Sequence, residues 1–159
     1  MRFDVPTADS AGYKRLLAWN AHLERSALSA PIRALVETRV SQINGCAFCL
    51  AMHNDEARRA GVLQAKLDTV AAWRDDPAFT EDEAAALELA EAMTRIADGR
   101  RVPDDTWDRA RKQFDDAALA ALVEVVAIIN TFNRINVATE RSAAAYAEYA
   151  ARGAVADAS

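Results

Sequence analysis

Cys46, Cys49 and His53 are spaced i, i+3 and i+7, and on a helix that spacing puts all three on one face along about two turns. The reactive form of a cysteine is its thiolate. Three features favour it here: the unsatisfied N–H groups of a helix start, the positive end of the helix dipole, and an imidazole one turn beyond Cys49. A thiolate attacks the O–O bond of a peroxide and becomes a sulfenic acid, and a second thiol three residues away condenses with it to a disulfide before further oxidation. Two other uses of the same residues stay open at this point. C-x-x-C-x-x-x-H offers three zinc ligands, but a structural zinc takes four, and the other histidine, His22, falls in a different predicted helix without ligand-like neighbours. No zinc and no other cofactor is therefore expected. Cysteines are also among the most buried residue types and can sit inert beside a core histidine.

The elements that position these residues are predicted to be helical throughout. Ala, Leu, Glu and Arg dominate, and Ala loses no side-chain entropy in a helix. A first helix is predicted from Ser10 to Glu24, with Tyr13, Leu16, Leu17 and Leu23 on one side. Ser29 and Pro31 signal the start of a second, ending near Gln42. Asn44-Gly45 makes a turn from which the cysteine helix starts at once and runs to Gly61, a natural left-handed terminator. Both cysteines then lie in its first turns. Thr80 and Glu83 form a capping box before a helix reaching about Ala97, and Pro103 with Asp104 and Asp105 opens another. Asp115 and Asp116 start an apolar core helix covering Ala117 to Asn130. The segment TFNRIN, with two asparagines, is expected to break or bend the chain before a last helix ending near Gly153, with residues 153–159 fraying.

At 159 residues and 52% hydrophobic content the chain can bury one good core and is expected to form a single all-α domain over residues 1–159. A net charge of -5 with no basic stripe argues against a nucleic-acid surface. The opening residues MRFDVPTADS lack a basic start followed by an apolar run, so no secretory signal is read and a cytoplasmic protein is expected. The most apolar stretch, Ala117 to Ile129, is interrupted by Glu124 and falls short of the roughly 20 residues a spanning helix needs. No membrane partner is expected.

The run LVETRVSQINGCAFCLAMHNDEARRAGV, which contains a core motif over residues 35–61, strongly resembles the centre of the AhpD-like, carboxymuconolactone decarboxylase superfamily. IINTFNRINV is similar to the INxWNRxxV segment of its single-domain members, with Phe132 in the place of the tryptophan, and FTEDEAAALELAEAMT resembles the family's central helix. The resemblance implies an all-helical fold, assembly into dimers, trimers or hexamers, and reduction of small hydroperoxides supported by a dithiol reductant, lipoylated or thioredoxin-like. It further implies that Cys49 attacks the peroxide, that Cys46 resolves the intermediate, and that His53 passes a proton toward a glutamate twelve residues before the first cysteine.

That position is Ala34, which cannot accept a proton. Glu37, three residues later on a nearby face, is the candidate to replace it, against the plainer reading of a solvated surface charge. Glu124 is a second candidate, read in the first instance as an outward-facing position in an apolar helix. Ala51 stands where many relatives carry an acid. Three functions compete: alkyl hydroperoxide reduction through a Cys46–Cys49 disulfide, a decarboxylase-type reaction on a lactone acid, and a non-enzymatic oligomer that binds a ligand or senses oxidants. The cysteine pair argues against the second, and the substitution at Ala34 keeps the third in play.

Overall fold

The computed structural model describes residues 1–156, which are helical with short connections and contain no strand. The elements are α1 (Val5–Ala8), α2 (Ser10–Leu23), α3 (Ala30–Asn44), α4 (Ala47–Arg59), α5 (Gln64–Thr69), a 3-10 turn (Val70–Asp75), α6 (Glu81–Thr94), α7 (Ile96–Gly99), α8 (Asp104–Gln113), α9 (Asp116–Ala138) and α10 (Ala143–Ala156). α3 lies at the centre, packed on α4, α6 and α9, while α2 covers α9 and α10 covers α4. The largest apolar cluster joins α2, α3, α6, α8 and α9 through residues such as Val36, Val40, Leu89, Leu122 and Ile129. A second joins α3 and α4 to α5 and the 3-10 turn through Leu35, Ala57, Leu67, Val70 and Trp73.

Local chemistry explains where the helices begin and end. The Asp115 carboxylate accepts the N–H of Ala118 at 2.8 Å and so caps α9. Thr80 and Glu83 form the expected capping box at the start of α6. α3 runs two residues past Gln42, and Gly45 then turns left-handed at φ 67°, with the N–H of Cys46 reaching back to the Ser41 carbonyl at 3.1 Å. That closure is of the Schellman type, and a side chain at Gly45 would be strained by its backbone angle. Gly61, at φ 85°, follows the end of α4 in the same way.

Two expectations need correction. TFNRIN neither breaks nor bends the chain; α9 continues through it to Ala138. The asparagines do not compete with the backbone there, because Asn133 and Asn136 are buried and bonded to neighbouring elements. The last helix does not stop at Gly153 but continues to Ala156, since one interior glycine costs a helix only about 1 kcal/mol. Of residues 153–159, where fraying was expected, 153–156 belong to this helix and 157–159 lie outside the described residues. α5 and the 3-10 turn were not anticipated, although Leu67, Val70 and Trp73 bury at three-residue spacing. α9 is long and apolar enough by composition to cross a membrane, but it is the helix on which α2, α3 and α6 pack.

One buried carboxylate ties three of these elements together. Glu91 on α6 accepts hydrogen bonds from Arg39 of α3 at 2.6 Å, Arg74 at 2.7 Å and the Trp73 indole at 3.2 Å. Burial opposes its charge, but the donors from Arg74, Arg39 and Trp73 outweigh it and hold the carboxyl below its ordinary range. Removing one member of such a pair leaves the other charge uncompensated. We predict that Glu91→Ala lowers unfolding free energy by about 3 kcal/mol in urea titrations. Because the folded pKa is depressed, this stabilisation is present above the unfolded pKa and is lost as pH falls through the folded value. The gap between parent and variant should therefore close on acidification, and a gap that widened in acid would contradict the assignment.

Candidate active site

Cys46 is the N-cap of α4 because the left-handed Gly45 ends α3 one residue before it. In that position its Sγ accepts the N–H of Cys49 at 3.3 Å, one of the donors that a helix start leaves unpaired. Cys46 and Cys49 are joined by a disulfide with their Cα atoms 5.3 Å apart. Both are buried, at 1% and 0% exposure. Asn136 on α9, also buried, donates from Nδ2 to the Cys49 sulfur at 3.4 Å. Phe48 and Tyr146 pack edge-on over this end of α4, 5.9 Å between ring centres. The Tyr146 hydroxyl is anchored on Asp55 at 3.1 Å.

His53 lies one turn beyond Cys49 and is almost fully buried. Its Nδ1 is 2.7 Å from the Glu56 carboxylate and 3.5 Å from that of Glu37. A carboxylate only accepts, so Nδ1 carries the proton and, in the neutral ring, Nε2 keeps its lone pair. Nε2 itself is buried and has no hydrogen-bond partner among the described residues. Burial opposes the charged imidazolium, yet the carboxylates of Glu37 and Glu56 prevail and raise the pKa of His53 above its ordinary value. Burial likewise pushes Glu37 up, although the charges of His53 and Arg33 pull the other way. The buried acid and base together therefore hold on to a proton more tightly than either would in water.

Glu37, Phe48, His53 and Asn136 line a cavity of about 450 Å³ whose far walls include Tyr13 and Phe132, themselves packed edge-on at 6.0 Å. That volume suits a small organic molecule. The imidazole and the two carboxylates that border this cavity are groups able to take up and return a proton.

The structure thus brings Cys46, Cys49, His53 and Glu37 together. Glu37 is 4% exposed, so it is not a solvated surface charge. Glu124 is elsewhere: it accepts the Trp19 indole N–H at 2.9 Å on the side where α2 covers α9. Ala34 is buried in the apolar cluster with Leu35 and Ala57. Two site residues escaped the sequence reading. Glu56 stands three residues after His53, a spacing that alone could have suggested it. Asn136 closes a series with Asn130 and Asn133 at three-residue intervals, the mark of one helix face. As for metals, among the described residues the donors close enough to share a cation are those of Glu37, His53 and Glu56, all within 4.8 Å of one another. They are not the C-x-x-C-x-x-x-H set considered from sequence, whose sulfurs are bonded to each other.

Residues 12–92 match the model of the carboxymuconolactone decarboxylase family. The chain is 36% identical to the uncharacterized protein YdfG of Bacillus subtilis over 133 residues, 84% of this chain and 90% of that one. It is 32% identical to the uncharacterized protein YnjA of Escherichia coli over 117 residues, 74% of this chain and 63% of that one. A crystal structure from Agrobacterium tumefaciens, of a protein of unknown function considered an antioxidant defence protein AhpD, superposes with a TM-score of 0.84 at 33% identity, over 89% of this chain and 96% of that one. An uncharacterized peroxidase-related protein from Silicibacter shares the fold at a TM-score of 0.70 and 24% identity, covering 80% of this chain and 67% of that one. On the match to the family model and on the extent of these likenesses, the chain, with its AhpD-like helical fold, belongs to the carboxymuconolactone decarboxylase family.

Proposed function

We propose that this protein is a thiol-dependent peroxidase that reduces alkyl hydroperoxides through the Cys46–Cys49 couple. The observation that supports it most is the juxtaposition of a disulfide-forming cysteine pair with a buried histidine whose Nδ1 is held by carboxylates and whose Nε2 has no hydrogen-bond partner among the described residues, beside a cavity of small-molecule size. In the reduced protein, Nε2 of His53 takes the Cys49 thiol proton. The thiolate attacks the terminal oxygen of the hydroperoxide; an S–O bond forms, the O–O bond breaks, and the departing alkoxide receives the proton from His53 as an alcohol. Cys46 then attacks the sulfenic sulfur of Cys49, forming the disulfide and releasing water. A dithiol reductant, lipoylated or thioredoxin-like, returns both thiols and is itself oxidised to a disulfide. Glu37 supplies the carboxylate beside His53 that Ala34 lacks. We place the protein in the cytoplasm as a homo-oligomer.

A second reading, an oxidant sensor that turns over slowly, draws support from the burial of both sulfurs beneath Phe48 and Tyr146. Turnover separates the two. With cumene hydroperoxide and dihydrolipoamide in excess, a peroxidase consumes many equivalents per chain, and Cys49→Ser abolishes consumption. Oxidation that stops after one equivalent despite reductant would favour the sensor.

Two predictions concern the proton path. His53→Ala should slow the first oxidation of the reduced protein about 10²-fold or more in stopped-flow traces, whereas Cys46→Ser should leave that step near the parent rate, because a resolving thiol acts only afterwards. The reverse order would mean that the two cysteines have exchanged roles. Glu37→Gln removes a charge that raises the His53 pKa, so the His53 titration followed by NMR should move to lower pH. Thiolate capture near neutral pH should slow, and the deficit should shrink in base, where the thiolate forms unaided. An unchanged His53 titration would remove Glu37 from the mechanism.

A further inference from the structure

We infer that Asn136 is a catalytic residue whose side-chain N–H stabilises the Cys49 thiolate and thereby makes Cys49, not Cys46, the sulfur that attacks the hydroperoxide. The consequence for turnover rests on the peroxidase reading above; the effect on the thiol does not.

The two sulfurs compete for negative charge under different influences. Cys46, at the N-cap, has the Cys49 backbone N–H at 3.3 Å and the positive end of α4, a combination that by itself would favour Cys46 as the more acidic thiol. Cys49 has spent its own N–H on that contact. What it has instead is the Nδ2 of Asn136 at 3.4 Å, supplied from α9 rather than from α4, and His53 one turn on. Asn136 is 4% exposed and Cys49 is fully buried, so no bulk water substitutes for that donor. A hydrogen bond to a charged acceptor is worth more than one to a neutral acceptor, and the contact therefore gains strength when the sulfur becomes anionic.

The setting of Asn136 separates it from its two neighbours on the same face. Asn130 and Asn133 spend their side chains on α3 and α6: Asn133 bonds Asn44 and Ser41, and Asn130 bonds Asn44 and Thr94. Those contacts hold the α3–α4 turn. The Asn136 side chain makes its one hydrogen bond among the described residues to a reacting atom, and it lines the cavity beside His53. Its donor serves the cycle twice. It stabilises the thiolate that cleaves the O–O bond, and it stabilises the same thiolate as a leaving group when the incoming dithiol attacks Cys46, so that the S–S bond breaks toward Cys49 and the mixed disulfide forms on Cys46.

The test measures thiolate formation without peroxide. In a Cys46→Ser background, the pH dependence of iodoacetamide alkylation reports the Cys49 pKa, and in a Cys49→Ser background it reports that of Cys46. Asn136→Leu, which keeps volume and removes the donor, should slow Cys49 alkylation near neutral pH about tenfold and raise its pKa by about one unit. Cys46 alkylation should stay unchanged. Asn136→Ala removes the same donor without added bulk and carries the test if Asn136→Leu does not fold; agreement between them assigns the effect to the hydrogen bond. An unaltered Cys49, or equal slowing of both cysteines, would overturn the assignment. If Cys49 shifts as stated while the parent protein consumes no hydroperoxide, the role of Asn136 stands and the peroxidase reading falls.

Discussion

A buried polar seam between α9 and the α3–α4 turn governs the geometry of everything around the cysteines. Asn44 at the end of α3 donates to both Asn130 and Asn133, and Asn133 in turn donates to Ser41. Asn133 and Ser41 are fully buried, and a buried polar group left unpaired costs about 1–3 kcal/mol. The seam therefore tolerates few alternative arrangements of the turn. With Asn44 held and Gly45 left-handed, Cys46 has to fall at the N-cap of α4 and Cys49 in its first turn. The reactive pair is placed by a polar contact to a helix far away in sequence, not by local preference alone.

From that fixed start the α-helical repeat carries the rest. His53 follows Cys49 by one turn and Glu56 follows His53 by another, so the imidazole reaches a carboxylate of its own helix. The second carboxylate comes from α3, which lies directly against α4. Ala34 occupies the position where the family resemblance implied the acid, and it sits among apolar side chains. Glu37, about one turn along the same helix, presents its carboxylate 3.5 Å from Nδ1 of His53 instead. In the proposed proton path the histidine and a buried acid are kept, and the acid comes from a different residue. Desolvation then sets the chemistry: a carboxyl and an imidazole sharing low-dielectric surroundings retain a proton that water would otherwise take.

Much of this was legible in the residues. The capping box at Thr80, the Asn44-Gly45 turn and the i, i+3, i+7 line of Cys46, Cys49 and His53 are local signals, and local signals survive into the fold. The place of Glu37 on the helix makes it a candidate for the replacement acid, but a solvated surface charge reads the same way in the residues, and only the packing of α4 against α3 decides its burial. The break expected at TFNRIN and the silence of the residues on Asn136 share one cause. Asparagine in a helix is ambiguous, because its amide either competes with the backbone or pairs across an interface, and only the neighbouring helix decides. TFNRIN reads as a break from its residues alone, yet it continues the core helix, and its asparagines Asn133 and Asn136 pair with α3 and α4. Glu124 is a lone acid in an apolar helix, which in the residues is first an outward-facing position and second a candidate for the proton path; its partner is a tryptophan from α2, away from the cysteines.

The central claim is that Cys46 and Cys49 are a redox couple worked by a peroxide. Its most direct test is a single turnover: fully reduced protein mixed with one equivalent of an alkyl hydroperoxide, with intact mass, free thiols and alcohol product measured on the same sample. The account predicts one alcohol per chain, loss of both thiol hydrogens from the protein mass and a Cys46–Cys49 disulfide in the peptide map. Two free thiols persisting beside unconsumed hydroperoxide would contradict it.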